Sequence, residues 1–173
     1  MSTASDTQNL LPAAPLSAEA KATLSGLDQV RGIRDGSLPL APMHELMNMR
    51  LTEVEDGLVV FTASPEEKHY NPGGTVHGAF SAAMLDSAMG LSVLTKLGAG
   101  VGHTTLEFKV NLVRPMSAQI GEVRCEGRVV HCGRNIATAE GRLLTSEGKI
   151  IAHGNTTCMI FPAAKTSNNR QNS

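Results

Sequence analysis

The sequence is poor in aromatic residues, with no tryptophan, one tyrosine and four phenylalanines among 173 residues. It therefore offers little from which to build an aromatic platform for stacked nucleic-acid bases. It also lacks an excess of charge of one sign, because 15 Lys and Arg residues nearly balance 16 Asp and Glu residues for a formal net charge of -1. There is no local Lys/Arg cluster either, so the chain has no positive electrostatic field that would attract nucleic acid. Nucleic-acid binding is not expected.

Cysteine is scarce, and Cys125, Cys132 and Cys158 form no CxxC motif. An odd number of cysteines without that spacing argues against a disulfide framework and against structural zinc. Four histidines show no ligand spacing with a cysteine or carboxylate: His44, His69, His103 and His153. No GxxxxGK phosphate loop is present. We expect no metal and no cofactor, and a reducing cytoplasm as the location.

No apolar run is long enough to cross a membrane. The nearest, Ala79 to Leu94, is interrupted by Asp86. The N-terminus carries Asp6 and lacks a basic region followed by an apolar run, so no secretory signal is expected. Hydrophobic content of 41% and charged content of 18% are typical of a soluble globular protein, and the length suits one domain.

The pattern of elements predicts an α+β architecture, an antiparallel β-sheet wrapped around one long central α-helix. Ser17 as an N-cap predicts one short helix to about residue 34, and His77 to Leu97 reads as a buried helix without proline. Short turns join the strands that follow, which favours antiparallel neighbours. The predicted strands are 46–54, 58–63, 105–113, 120–132, 136–145 and 149–161. We divide the chain into an N-terminal tail and helix (1–40), the main domain (41–162) and a disordered tail (163–173).

Asp86 is the one carboxylate between His77 and Thr95, on a helix that is otherwise apolar or small. Such a charge is costly unless it is paired, used or placed at a solvent-facing edge. Gly78 lies in the first turn of the same helix, where unpartnered N–H groups and the positive end of the helix dipole suit a developing oxyanion. The alternative for Gly78 is a glycine needed only for close packing.

Spacing adds a constraint on these two residues. Eight residues separate Gly78 from Asp86, roughly 12 Å along a helix axis, so both cannot contact one carbonyl carbon from the same protomer. Two copies packed antiparallel, crossing near Ser81, Ala82 and Ala83, would bring them together. A catalytic site built from both requires a homodimer with two equivalent sites.

The segment from Asn71 through Pro-Gly-Gly-Thr-Val-His77-Gly78 to Asp86 closely resembles the signature of hotdog-fold acyl-CoA thioesterases. The nearest types are the phenylacetic-acid-degradation (PaaI-like) proteins and the mammalian thioesterase-superfamily acyl-CoA hydrolases. The resemblance extends from about residue 42 to 161 and includes Val113-Arg114-Pro115 and the Gly133-Arg134 turn. It implies the hotdog fold, an acyl-CoA substrate and a dimer of dimers.

The resemblance also implies roles for individual residues. Asp86 would act as the nucleophile or as the general base that activates water, and the Gly78 N–H would polarise the thioester carbonyl. Asn71 would position the thioester or the water. Thr105 would stand beside the carboxylate, and His77 would order the loop and the helix start.

Coenzyme A recognition is implied for the turn between two strands and for one further arginine. These positions are His131, Gly133, Arg134, Asn135 and Arg114. The alternative for Arg134 is a solvated turn residue. The sequence departs from the family pattern at Ala79, where a second glycine is usual. Alanine keeps its N–H, so we expect the oxyanion donors to survive.

Two other functions share this fold. A hotdog enoyl-CoA hydratase or dehydratase needs a catalytic histidine with an acid at different positions. A non-catalytic acyl-CoA-binding domain would keep Arg134 but would not need Asp86. The absence of a G-x-S-x-G elbow excludes an α/β-hydrolase thioesterase.

Overall fold

The computed structural model describes residues 12–163. Six strands form one sheet in the order β1-β2-β4-β5-β6-β3, and every neighbouring pair is antiparallel. The strands are β1 (Met49–Glu55), β2 (Leu58–Ala63), β3 (Val101–Leu112), β4 (Val123–Cys132), β5 (Ile136–Thr145) and β6 (Ile150–Pro162). One long helix, α4 (Gly78–Leu94), packs across this sheet. The predicted α+β hotdog architecture is confirmed.

Helix α4 is buried because its sequence is apolar or small on nearly every side. Met84, Leu85, Ala88, Met89 and Val93 are fully enclosed between the helix and the sheet. The helix ends at Leu94, three residues before the predicted end. No helix in residues 12–163 is long and apolar enough to span a membrane.

Glycines in the sheet let α4 lie directly on the strands. A Cβ built on Gly127 of β4 would lie 2.2 Å from the backbone carbonyl carbon and oxygen of Ala88. Its cross-strand partner is Gly141 of β5, where a Cβ would meet Leu85 and Met89 of the helix at 2.9 and 3.0 Å. The helix can therefore pack this close to the sheet only because these two strand positions carry no side chain.

This close contact predicts a large stability cost for Gly127→Ala. The added methyl group meets helix backbone, which cannot rotate away, so we expect a loss of about 3 kcal/mol in the free energy of unfolding. Urea denaturation measures the effect. Gly98→Ala is the matched control, because nothing lies within 4 Å of its Cβ position, and it should change stability by no more than about 0.5 kcal/mol. Equal stability of the two variants would contradict this packing account.

The N-terminal region differs from the single predicted helix. Two helices occur, α1 (Ala18–Thr23) and α2 (Gly26–Asp35). The break falls at Ser25, whose side chain accepts from the Asp28 N–H and begins a new helix as its cap. A further short helix, α3 (Pro42–Leu46), was not predicted. The tail residues 1–11 and 164–173 lie outside the described residues, and the proposed domain division stays a prediction.

Strand β3 forms one edge of the sheet, with β6 as its strand neighbour. A bulge between Thr105 and Glu107 interrupts the alternation that the sequence predicts for this strand. Leu106, Phe108 and Leu112 are 54%, 41% and 60% exposed in the protomer. An open edge lined with large apolar side chains is a surface that proteins normally cover.

Candidate active site

Asp86 and Thr105 meet where the middle of α4 passes β3. Thr105 Oγ1 donates a hydrogen bond of 3.0 Å to Asp86 Oδ1, and both residues are half-buried. No hydrogen bond to Asp86 Oδ2 forms within residues 12–163. The carboxylate is therefore held by one oxygen and keeps the other available to accept a proton.

Cys158 of β6 lies beside this pair and pairs with Thr105 across the strands. Burial raises the pKa of the Cys158 thiol, and the negative charges of Asp86 and Glu107 act in the same direction. Hydrogen bonds with Thr105 and Thr156 oppose the shift. A thiol kept neutral in this way is a poor nucleophile. The carboxylate is the reactive group that this arrangement favours.

Gly78 is the first residue of α4, and its N–H makes no hydrogen bond within the described part of the chain. The neighbouring Ala79 N–H is occupied, because it donates to Nδ1 of His77 at 3.0 Å. The histidine cap thus takes the Ala79 N–H, and the Gly78 N–H stays free at the helix start. A Cβ on Gly78 would lie 2.6 Å from Cδ1 of Leu112, so the glycine also serves packing.

The continuous helix keeps Gly78 and Asp86 of one protomer roughly 12 Å apart along its axis. The crossing of two such helices near Ser81, Ala82 and Ala83 stays a prediction; Ser81 is 2% exposed and faces the core of its own protomer. Helical periodicity places Ala82 and Ala83 on another side, where both are half-buried.

Asn71 uses its side chain within its own loop. Its Oδ1 accepts from the Gly73 N–H at 2.8 Å, and its Nδ2 donates to Thr75 Oγ1 at 3.0 Å. These bonds set the tight turn that leads into α4. Within one protomer the structure does not bring the Asn71 amide to Asp86, and His77 acts there as the helix cap.

The residues implied in coenzyme A recognition lie at two ends of the sheet. The turn between β4 and β5 is closed by a hydrogen bond from the Gly133 N–H to the Ile136 carbonyl. His131, Arg134 and Asn135 at this turn are exposed. Arg114, also exposed, follows β3 at the opposite end, where its N–H donates to the Ile151 carbonyl. Within one protomer the two arginines thus lie at opposite ends of the strands.

Two histidines that the sequence left without a role lie against α4. His44 of α3 places Nε2 3.1 Å from Ser87 Oγ, next to Asp86, and its ring packs on Phe61. Burial lowers the pKa of His44. His103 of β3 faces Gly90, one turn beyond Asp86. The sequence shows no ligand spacing around these two histidines. The fold, and not their spacing in the sequence, brings them to the helix.

The structure bears on two kinds of ligand site, a metal site and a cavity. Within residues 12–163, no group of three or more His, Cys, Asp or Glu side chains could hold a metal ion. A cavity of about 650 Å³ lies between α2 and the β1–β2 edge, and no predicted site residue lines it.

The thioesterase superfamily model matches residues 73–152, a segment that contains Gly78, Asp86, Thr105, Arg114 and Arg134. Over this segment, which is 80 of the 173 residues, the chain is similar to the thioesterase superfamily. Its hotdog fold and its PaaI-like signature agree with that similarity.

Individual known proteins are also similar to this chain. This protein is 26% identical to a putative phenylacetic acid degradation-related thioesterase from Ralstonia eutropha JMP134, which was solved by crystallography. That match covers 76% of this chain and 98% of the other, with a TM-score of 0.69. A curated relative from Saccharolobus solfataricus, named "Putative esterase", is 24% identical over 71% of this chain and 86% of its own length. A Streptococcus mutans UA159 structure bound to acetyl-CoA shares the fold, at 23% identity and a TM-score of 0.61 over 68% of this chain and 92% of that one.

Proposed function

We propose that this protein is an acyl-CoA thioesterase that hydrolyses an acyl- or aryl-CoA thioester to the free acid and coenzyme A. The observation that carries the proposal is the Thr105–Asp86 hydrogen bond. It fixes a half-buried carboxylate on an apolar helix inside the segment that matches the family model. Asp86, Thr105, Gly78, Asn71 and His77 form the proposed catalytic set.

The chemistry follows from these groups. As a general base, Asp86 accepts a proton from water while the water oxygen attacks the thioester carbonyl carbon. The carbon–sulfur bond then breaks, and the coenzyme A thiolate leaves and takes up a proton. As a nucleophile, Asp86 would instead form an acyl anhydride that water hydrolyses. In both routes negative charge develops on the carbonyl oxygen, which the free Gly78 N–H can stabilise.

A dimer would unite the two halves of this site. Asp86 lies beside Thr105 on β3, and Gly78 lies beside Leu112 of the same strand. If the open β3 edges of two copies pair antiparallel about a two-fold axis near Phe108, Thr105 of one copy comes opposite Leu112 of the other. The carboxylate then faces the partner's helix start, and the exposed apolar side chains of β3 become covered.

The same dimer would bring one arginine from each protomer to the ligand. Thr105 pairs with Cys158, and Cys158 pairs with Ala137, only three positions from Arg134. Arg114 instead lies near the Gly78 end of the strand. The nucleotide phosphates of one coenzyme A would meet Arg134 of the protomer that supplies Asp86 and Arg114 of its partner. Acetyl-CoA in the Streptococcus mutans relative supports this ligand class.

A phosphate contact predicts a specific kinetic signature for Arg134→Ala. The contact is the same in the ground state and the transition state, so the variant should raise KM about 10-fold and leave kcat nearly unchanged. Steady-state hydrolysis of the best acyl-CoA measures both constants. Arg31→Ala on the exposed side of α2 is the matched control. An unchanged KM for Arg134→Ala would remove this residue from the binding site.

Thiol release from a panel of acyl-CoAs tests the proposed function. Short aliphatic, long-chain and phenylacetyl thioesters are supplied, and free thiol is read with a disulfide reagent. We expect release from at least one of them. A hydratase would consume an enoyl-CoA without releasing thiol, and a binding domain would do neither. If no member of the panel releases thiol, the result would contradict the proposal. The cytoplasmic location and the dimer of dimers stay predictions.

A further inference from the structure

His103 lies on β3 two residues before Thr105, and both side chains face α4. Residues two apart on a strand share a face, and residues four apart on a helix share a face one turn apart. Thr105 meets Asp86, and His103 meets Gly90, the residue one turn further along. The imidazole and the catalytic carboxylate are thus neighbours along the same helix–strand seam.

Because Gly90 has no side chain, the imidazole of His103 lies against the backbone of α4. A Cβ at Gly90 would lie 3.5 Å from His103 Nε2, an ordinary van der Waals contact. Gly90 itself therefore places no side chain between the ring and the helix backbone. The ring is half-buried in the protomer.

Charge around His103 comes mainly from Asp86. Burial lowers the pKa of His103, while the negative charge of Asp86 and the Gly90 backbone raise it. The thiol of Cys158 on β6 is kept neutral, as described above. Glu107, beyond the bulge on β3, and Lys21, on the neighbouring α1, are exposed. Asp86 is the charged side chain of the described residues that acts on this imidazole.

We propose that His103 is a positioning residue for Asp86, whose neutral imidazole shields the carboxylate from bulk water and whose protonated form pairs with it and makes it a weaker base. The inference rests on the proposed thioesterase function and deepens it. At neutral pH the uncharged ring favours catalysis by keeping the carboxylate desolvated. As the pH falls, the imidazolium stabilises the negative charge of Asp86, so hydrolysis declines through the titration of His103.

A titration without substrate tests the coupling directly. Histidine resonances of the full-length protein are followed by NMR against pH in the wild type and in Asp86→Asn. Loss of an opposite charge next to His103 should lower its titration midpoint by about 1 pH unit. His153, exposed on β6, should titrate identically in both proteins. An unchanged His103 midpoint in Asp86→Asn would overturn the inference.

Kinetics test the consequence for hydrolysis. His103→Gln should lower kcat about 10-fold at neutral pH, keep KM within about twofold and move the acid limb of the kcat profile to lower pH. His103→Asn provides a second variant if the first folds poorly, and His153→Gln should keep the wild-type profile. Wild-type kcat and an unmoved acid limb in a folded His103 variant would contradict the role. If the wild type releases no thiol from any acyl-CoA, the proposed function fails, and the NMR titration alone decides the inference.

Discussion

Asp86→Asn is expected to lower kcat by about 10²–10⁴-fold, the usual size of a general-base contribution. Asparagine keeps the shape of the side chain and can still bond to Thr105, but it cannot accept the proton from water. The change leaves the proposed coenzyme A contacts at Arg134 and Arg114 intact, so KM should stay nearly constant. Steady-state thiol release on the best acyl-CoA measures both quantities.

Thr105→Val is the matched comparison for Asp86→Asn. It removes the 3.0 Å hydrogen bond to Asp86 Oδ1 and keeps the volume of the side chain. Because the threonine orients the carboxylate and does not take the proton, its loss should cost less than the loss of Asp86. Thermal melting should show Asp86→Asn to be as stable as the wild type or more stable, since a half-buried charge is removed. Near-wild-type hydrolysis by Asp86→Asn would make the carboxylate structural.

Gly78→Pro is expected to lower kcat by about 10²–10³-fold, the cost of removing one oxyanion-hole donor. Proline deletes the Gly78 N–H without breaking the helix, because Gly78 is the first residue of α4 and proline is favoured there. The preceding His77 already has φ -59° and ψ 137°, the extended geometry that a residue before proline adopts. The variant thus removes the donor and keeps the helix start.

Gly78→Ala separates the donor from the space around it. Alanine adds a Cβ in the same place, against the flexible end of Leu112, but it keeps the N–H. We expect a much smaller loss of kcat than in Gly78→Pro, and circular dichroism should show equal helix content in both. Equal losses in the two variants would mean that Leu112 packing, and not the N–H, explains the effect.

Much of the fold follows from patterns that are local in the sequence. The β5 boundaries match the prediction, and the start of α4 falls within one residue of it, because turn residues and a long apolar helix mark them. The bulge at Thr105–Glu107 was not predictable, since it arises from pairing with β6. The break at Ser25 was missed because the serine reads equally well as a helix residue until its cap to Asp28 is seen.

Some residues of the candidate site could be predicted from the sequence, and others could not. Asp86 stands out in the sequence because a lone carboxylate on an apolar helix needs a physical reason. Thr105 was identified only through the family resemblance, since nothing local links it to a residue 19 positions earlier. Capture of the Ala79 N–H by His77 depends on the rotamer of the cap, which the sequence does not specify. His103 reaches Gly90 only through the packing of β3 on α4.

Mixing two inactive variants tests the shared site most directly. Asp86→Asn and Gly78→Pro protomers are co-expressed with different tags, and the thioesterase activity of the mixture is compared with that of each variant alone. In a mixed dimer, one site combines an intact Asp86 with an intact partner Gly78, and the other site lacks both. With half of the dimers mixed, activity should recover to about a quarter of the wild-type value. Recovery to that level is the predicted result. The tags verify that mixed dimers have formed. If such a mixture stays as inactive as the two single variants, the result would contradict a site built from two protomers.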